Sequence, residues 1–304
     1  MHTRQPTPPI PPRVRLIVAV SLAVGRGLIW LAGWLPESAA LRVGGWVTQA
    51  FEPLTRERRH RNLRRFYGPV ALTGDWLDAL DAAHQRYLAR MRTEIARTFT
   101  RPPREILDRV TLEGEEHLRS VLAGRRGALL ISGHTGTWWL TPAYLVARGY
   151  SVTGIFTAIP FPSVERQLRR LTDRFGVRLA FVGRSAAKAA LRAVEQNEII
   201  FLTFDVAVRG DRCHWLRFGD GWLPIDPGPA QLALRRQMPV VQAACAHAAD
   251  RRHLIRIYPA GPPLAMPTPE ALSQQWLDRL ATEVHDHPEQ WWPWGYGNVE
   301  DHAP

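Results

Sequence analysis

One histidine of this chain stands at a position where α/β proteins hold reactive groups. Residues 128–132 form a short apolar run that is typical of a buried strand in a parallel sheet, and Gly133 ends it. His134 follows at once, and a Thr-Gly-Thr turn leads into a second apolar segment, as at the start of a helix. Open α/β sheets place site residues at such strand ends. His134 is therefore a candidate general base, because an imidazole titrates near neutral pH; the alternative is that it only caps the turn.

Two further groups of charged residues are candidates for a site. Asp205 ends the apolar run 199–204, a position typical of a site residue, although a turn or helix-capping aspartate is the alternative. Three arginines recur every four residues and share a face of one predicted helix, namely Arg166, Arg170 and Arg174. Such a face can bind the phosphates of a lipid headgroup, of coenzyme A or of a phosphopantetheine arm, or it can simply be solvated.

Other motifs that carry chemistry are missing from the sequence. It contains no phosphate-binding or dinucleotide glycine pattern and no nucleophile elbow of the hydrolase type. Cys213 and His214 are adjacent, so on an extended chain their side chains point to opposite sides. His285 and His287 lack further residues at metal-ligand spacing. We therefore expect neither a metal ion nor a resident cofactor.

The composition favours anionic partners. The formal net charge is +11, and Lys188 is the only lysine, so arginine supplies nearly all of the positive charge. A basic cluster between Arg56 and Arg65 can lie on anionic headgroups, and the twelve tryptophans favour contact with lipid. Charge alone would also admit nucleic acid. The apolar N-terminal segment and the lack of an interleaved basic-aromatic motif argue against nucleic acid as a partner.

The N-terminal third divides into three predicted parts. Residues 1–12 are rich in proline and predicted to be disordered. Residues 13–36 form an apolar, membrane-associating helix, in which Arg26 interrupts a stretch of about the length of a span. It can lie in the interface, cross the membrane once, or pack on the globular body. Residues 37–100 form a helical region, and we predict an α/β domain over 101–304.

The pattern after residue 101 alternates between strands and helices. Six strands are predicted, at 128–132, 151–156, 178–182, 199–204, 239–245 and 253–258. An amphipathic helix is predicted at 75–98, before the strands. Further helices are predicted at 115–123, 138–148, 163–175, 186–196, 228–236 and 268–286. This alternation predicts an α/β fold in which a mostly parallel central sheet is flanked by helices, with an N-terminal hydrophobic and amphipathic helical segment.

Five stretches carry motifs in a recognisable order. They are Gly133 to Trp138, Ile199 to Asp205, Phe218-Gly219 with the following Pro224 and Asp226 to Ala230, Arg235 to Val241, and Pro288 to Trp294. Their order and spacing resemble those of the bacterial lipid A late acyltransferases, the lauroyl and myristoyl transferases, a family that also includes mycobacterial mannoside acyltransferases. The resemblance covers about residues 15–295.

The resemblance implies a fold like that of glycerolipid acyltransferases and a reaction at the cytoplasmic face of the bacterial inner membrane, with a peripheral or single-span attachment. Such enzymes move a fatty acyl group from acyl carrier protein or coenzyme A to a hydroxyl of a membrane-embedded sugar lipid. His134 would be the general base. An apolar groove for the acyl chain would include some of Trp138, Trp139, Trp215, Phe218 and Trp222. Substrate contacts are also expected at two positions of the motifs, Thr137 and Gly228.

The sequence departs from the family at several positions, among them Thr137, where the family has an asparagine, and the decisive departure concerns the acid beside the histidine. The family places an acidic residue five positions after the histidine, and this chain has Trp139 there. Three interpretations follow. His134 can work unassisted, on an acceptor such as an amine that needs less activation; another acid can orient it, with Asp205 the first choice and Glu165 the second; or the protein has lost the chemistry and keeps acyl or lipid binding.

Overall fold

The computed structural model describes most of the chain. The described residues are Gly27, Leu31, 33–68, 74–157, 162–206, 213–248, 252–261, 268–297 and 299–303. Residues 1–12 and most of the predicted membrane-associating helix 13–36 therefore lie outside the described residues. Within the described ranges, no helix combines the length and the apolar character needed to cross a bilayer.

Nine strands form two sheets in the part of the chain that the structure describes. They are β1 (Val110–Glu113), β2 (Ala128–Ser132), β3 (Val152–Phe156), β4 (Arg178–Phe181), β5 (Ile199–Thr203), β6 (His214–Phe218), β7 (Gly221–Ile225), β8 (Val240–His247) and β9 (His253–Tyr258). Seven of them form the central sheet, in the order β1-β9-β8-β2-β5-β3-β4. Its neighbours are parallel except for β8 and β9. β6 and β7 form a separate antiparallel hairpin.

Helices cover the sheet and precede it. They are α1 (Glu37–Tyr67), α2 (Gly74–Thr100), α3 (Pro103–Leu107), α4 (Glu115–Ala123), α5 (Leu140–Ala147), α6 (Pro162–Arg174), α7 (Arg184–Gln196), α8 (Gly228–Arg236) and α9 (Pro269–Asp286). Two short 3₁₀ turns follow, Pro288–Gln290 and Trp292–Gly295. We call residues 288–297, which contain these turns, the C-terminal segment. The predicted α/β class with a mostly parallel sheet is confirmed, while the domain boundaries stay a prediction.

The predicted and observed elements differ in a few places. The four-residue edge strand β1 and the β6–β7 hairpin were not among the predicted strands. The helix predicted from residue 138 begins at Leu140, so Pro142 lies in its first turn, where a proline costs no intrahelical hydrogen bond. Within the predicted helical region, α1 continues through Pro53 as one helix.

The strand β2 lies at the centre of the core, and all its residues are buried. Its side chains alternate between the two faces of the sheet. Leu129 and Ile131 pack in the cluster that includes side chains of α8 and α9, whereas Ala128 and Leu130 pack in the cluster with α4 and α5. Each fully buried leucine or isoleucine contributes about 1.5–3 kcal/mol. The residue that follows β2 is therefore fixed by a strand anchored on both faces.

The helices α1 and α2 pack against each other, and buried polar residues lock them together. Arg59 of α1 is fully buried and pairs with Glu52, at 2.6 Å, and with Asp81 of α2. Asn62 of α1 donates hydrogen bonds from Nδ2 to the carbonyl oxygens of Trp294 and Gly297. The predicted basic cluster of α1 is thus not a uniform solvated face, since Arg59 within it is buried and joins α1 to α2.

Candidate active site

Two glycines allow the turn around His134 to pack closely against neighbouring elements. A Cβ atom at Gly133 would lie 2.4 Å from Leu280 Cδ1 of α9. Gly136 has a φ of +50°, and a Cβ there would lie 2.4 Å from the carbonyl oxygen of Cys245 in β8. A side chain at either position would push the turn outwards. The Gly-His-Thr-Gly sequence therefore holds His134 tightly at the carboxyl end of the sheet.

The carboxylate of Asp205 holds His134 through two hydrogen bonds. The ring atom Nδ1 lies 2.6 Å from Asp205 Oδ1, and the backbone N–H of His134 donates to Asp205 Oδ2 at 2.9 Å. Both residues directly follow the carboxyl ends of neighbouring parallel strands, β2 and β5, so the fold brings them together. A carboxylate facing Nδ1 makes this nitrogen the proton donor, and the lone pair is left on Nε2.

Asp205 is buried completely, yet it is held in its charged form. Burial by itself raises the pKa of Asp205, but the charge and hydrogen bonds of His134 and a hydrogen bond from Trp291 more than offset this, and the pKa lies below its usual value. The indole Nε1–H of Trp291 donates to Asp205 Oδ2 at 2.8 Å. At neutral pH the carboxylate therefore stays ionised and can stabilise a protonated imidazole.

The other side of the imidazole faces a hydroxyl group and aromatic rings. Thr203 Oγ1 lies 3.3 Å from Nε2. The centroid of the His134 ring lies 4.8 Å from that of Trp138 and 5.4 Å from that of Trp292. The side chain of His134 is 16% exposed to solvent, whereas that of Asp205 is fully buried. The ring is therefore within reach of a ligand, while its acidic partner is not.

The C-terminal segment clamps the histidine turn. The N–H of Trp292 donates to the carbonyl oxygen of His134 at 2.9 Å, and the N–H of Gly136 donates to that of Gln290 at 3.1 Å. The phenol of Tyr87, in α2, donates to the carbonyl oxygen of Gly136 at 3.0 Å. The turn is thus fixed by two parts of the chain, α2 and the C-terminal segment, that lie far from it in sequence.

The predicted residues of α6 lie apart from this pair. Glu165 forms an ion pair with Arg169 at 2.8 Å on the same helix. The three predicted arginines are exposed on α6, namely Arg166, Arg170 and Arg174. Arg174 also donates to the carbonyl oxygen of Arg101. Of the two acids considered for His134, the structure places Asp205 against the ring and engages Glu165 elsewhere.

The remaining predicted residues occupy four environments. Trp138 and Trp139 adjoin the histidine turn, and their rings pack edge to face at 4.9 Å. Thr137 and Phe218 are fully buried, and Phe218 packs on Trp291, beneath the carboxylate rather than along an exposed groove. Gly228 begins α8 and donates its N–H to Asp226. Two of the tryptophans expected in the groove, Trp215 and Trp222, lie on the β6–β7 hairpin.

Sequence reasoning missed three residues that contact the pair, Thr203, Trp291 and Trp292. Thr203 lies two positions before Asp205, and this spacing places two side chains on the same side of a strand, which was the available signal. Trp291 belongs to the motif from Pro288 to Trp294, but the sequence does not indicate which of the tryptophans in this motif donates its indole N–H to a carboxylate. An apolar cavity of about 710 Å³, lined by residues such as Val240 and Trp276, lies at the opposite end of β8 from the site.

Known proteins resemble this chain over nearly its whole length. The family profile described as "Bacterial lipid A biosynthesis acyltransferase" matches residues 11–294. The phosphatidylinositol mannoside acyltransferase of Mycobacterium tuberculosis is 25% identical over 281 residues, which cover 86% of this chain and 85% of that protein. Among solved structures, the 1-acyl-sn-glycerophosphate acyltransferase PlsC of Thermotoga maritima is 12% identical in sequence, with a TM-score of 0.36. The superposition covers 83% of this chain and 96% of the PlsC chain.

Proposed function

The chain belongs to the bacterial lipid A biosynthesis acyltransferase family, and from this premise we propose that it is a membrane-associated acyltransferase that uses His134 as its general base. It moves a fatty acyl group from an acyl carrier protein or coenzyme A thioester to a hydroxyl or amine of a lipid-like acceptor. The thioester is a co-substrate, so the reaction needs no resident cofactor.

The hydrogen-bonded pair of His134 and Asp205 carries this proposal. The acceptor gives its proton to Nε2 as its oxygen or nitrogen attacks the acyl carbonyl carbon. Asp205 keeps the ring in the tautomer with the proton on Nδ1 and offsets the charge of the imidazolium that forms. The imidazolium then gives its proton to the group that leaves the acyl carbon. A carboxylate therefore assists the base even though Trp139 stands where the family has an acid.

The nature of the substrates is supported by charge and by a relative. The exposed arginines of α6 offer a basic face to the phosphates of coenzyme A or of a phosphopantetheine arm. The name of the mycobacterial relative specifies a mannoside of phosphatidylinositol, and a glycolipid is therefore the acceptor class that we infer. α6 follows β3 and so starts at the edge of the sheet that carries His134.

Membrane association is supported by an apolar surface on and just before α1. Five large apolar side chains there are exposed, Leu31, Trp34, Trp46, Phe51 and Leu54, and we call them the α1 apolar surface. Exposed arginines accompany them on α1, namely Arg42, Arg56, Arg58, Arg61 and Arg64. Apolar side chains beside cations are typical of a protein surface that lies on anionic lipid. We place the protein at the cytoplasmic face of the bacterial inner membrane.

The test compares purified wild-type protein with His134→Ala, using acyl carrier protein and coenzyme A thioesters and a glycolipid acceptor. Acyl transfer is expected to fall on the order of 10²- to 10⁴-fold in the variant, because general base catalysis is lost. His285→Ala, at a histidine whose side chain is 72% exposed, is the control and should keep full activity. Equal thioester consumption by the wild type and His134→Ala would overturn the proposal and favour a non-catalytic acyl- or lipid-binding protein.

A further inference from the structure

Thr203 and Asp205 bracket the imidazole of His134. Asp205 Oδ1 lies 2.6 Å from Nδ1, and Thr203 Oγ1 lies 3.3 Å from Nε2. The three side chains thus form a line of acid, base and hydroxyl. A nucleophile within hydrogen-bond reach of a base, which a third group orients, is the arrangement of covalent acyl transfer.

The backbone on both sides of Thr203 is fixed. Thr203 is paired with Ser132 in the ladder between β5 and β2, and the N–H of Phe204 donates to the carbonyl oxygen of Ser132 at 3.2 Å. A threonine side chain is also stiff about χ1 because it branches at Cβ. The hydroxyl is therefore held beside Nε2 by the same pair of strands that carries the histidine. Thr203 is only partly buried, so a thioester can reach it more readily than the enclosed Asp205.

We propose that Thr203 is a nucleophile that carries the acyl group as a threonyl ester between the two halves of the reaction. This inference rests on the proposed function. Thr203 Oγ attacks the thioester carbonyl carbon while its proton passes to His134 Nε2. The carbon–sulfur bond breaks, the thiolate takes the proton from Nε2, and the free thiol leaves.

The second half-reaction reverses these roles. The hydroxyl or amine of the acceptor gives its proton to Nε2 and attacks the ester carbonyl carbon of the acyl-threonine. The bond between this carbon and Thr203 Oγ breaks, and Oγ regains the proton from the imidazolium. The acylated acceptor then leaves the site. Neither half-reaction changes an oxidation state.

Exchange between the acyl thioester and free thiol tests the proposal, because an acyl-enzyme produces it even when that species does not accumulate. The full chain is incubated with palmitoyl-coenzyme A and isotopically labelled coenzyme A, without an acceptor. A parallel reaction uses palmitoyl-acyl carrier protein and labelled carrier protein. We expect label in the thioester with the wild type and with Thr203→Ser. We expect none with Thr203→Val, which has nearly the same shape, and full exchange with the control Thr111→Val, at an exposed position of β1.

A wild-type protein that acylates the acceptor but catalyses no exchange would overturn the proposal and leave direct transfer. Exchange that persists in Thr203→Val would overturn the assignment to Thr203. A wild type that consumes no thioester even with the acceptor present would instead remove the proposed function, and this inference with it. Mass spectrometry of the peptide containing Thr203 after rapid acid quenching is expected to detect one added acyl group in the wild type.

Discussion

At the scale of single residues, the position of the carboxylate determines what His134 can do. Asp205 approaches from the neighbouring strand and reaches both the ring and the backbone N–H of His134. An acid five positions along the chain from His134 would instead stand just before α5, where Trp139 packs against Trp138. On the proposed mechanism this carboxylate takes the part of the family's acid, and the charge of His134 together with hydrogen bonds keeps it ionised.

Trp291→Phe removes the indole N–H that donates to Asp205 Oδ2 and keeps most of the ring packing. The carboxylate is then held less firmly against Nδ1, and kcat is expected to fall roughly ten- to a hundredfold, the loss typical of removing an outer partner that orients a histidine, with little change in KM. Since this hydrogen bond lowers the pKa of Asp205, its loss makes the carboxylate more basic and favours the protonated form of the imidazole beside it, so the acid limb of the pH–rate profile moves to higher pH. Steady-state kinetics across pH measure both effects.

Trp294→Phe is the matched control for this substitution. Trp294 is also fully buried, and its indole N–H donates to the carbonyl oxygen of Pro288 rather than to Asp205. We expect this variant to lose some stability and to keep the acid limb of the wild type. If both variants changed the profile alike, the role of Trp291 in holding the carboxylate would be refuted.

Single residues were predictable where chain position alone defines the site. His134 and Asp205 each follow an apolar run, and strand ends at one edge of a parallel sheet converge. Trp291 was not predictable as a partner, because it lies 86 residues from Asp205 and reaches it only through the packing of the C-terminal segment. The tertiary path of a segment without a regular period leaves no pattern in the sequence.

At the scale of elements, the C-terminal segment joins α2 to the histidine turn. His84 of α2 is fully buried, and its Nδ1 lies 2.8 Å from the carbonyl oxygen of Glu289. Burial is the main reason that the pKa of His84 falls to about 4. The imidazole is therefore neutral in the folded protein at neutral pH, and Nδ1–H donates to the carbonyl group. Protonation of His84 would place a buried positive charge between α2 and the C-terminal segment, and it would therefore destabilise the contact between them.

The stability of the protein is expected to fall as the pH falls from about 6.5 to about 4. In this range the unfolded chain binds a proton at His84 that the folded protein does not bind, so unfolding becomes easier by about 1.4 kcal/mol per pH unit. Above about pH 6.5 the contribution of His84 is constant. His84→Asn keeps a donor for Glu289 and removes the titration, so its unfolding free energy should fall less steeply. Urea unfolding at a series of pH values measures the difference.

His285→Asn, at an exposed histidine near the end of α9, controls for the loss of an imidazole. Its curve of unfolding free energy against pH is expected to follow that of the wild type between pH 4 and 6.5. Other buried histidines, such as His247, titrate in all three proteins and cancel in the comparison. Parallel curves for the wild type and His84→Asn would contradict this account.

Elements with a clear hydrophobic period were predictable, and short ones were not. The strands β2 and β5 carry five residues each, nearly all buried, and were predicted within one residue of their observed ends. β6 and β7 are a tight hairpin whose turn holds Gly219 at a φ of +60°. Their side chains mix buried and exposed positions without strict alternation, so the period-2 signal is weak.

At the scale of the whole molecule, the α1 apolar surface is connected to the site. The helix α1 packs on the C-terminal segment, and Asn62 donates to the carbonyl oxygen of Trp294. The same segment presents Trp292 to the ring of His134. If the protein lies on lipid through α1, the C-terminal segment is the element that connects this helix to His134. Apolar acyl chains and a lipid acceptor would then have a short path to the site.

The variant Trp46→Glu with Leu54→Glu tests this orientation. These side chains are 69% and 77% exposed, so the change costs the fold little. Each one buried in lipid contributes about 1.5–3 kcal/mol, and the partition into phosphatidylglycerol vesicles should fall on the order of 100-fold or more. Val182→Glu with Leu191→Glu changes two exposed apolar residues elsewhere and should bind like the wild type. Vesicle sedimentation measures the fraction of each of the three proteins bound to lipid. Equal binding by all of them would exclude the α1 apolar surface as the membrane contact and leave the residues before Leu31.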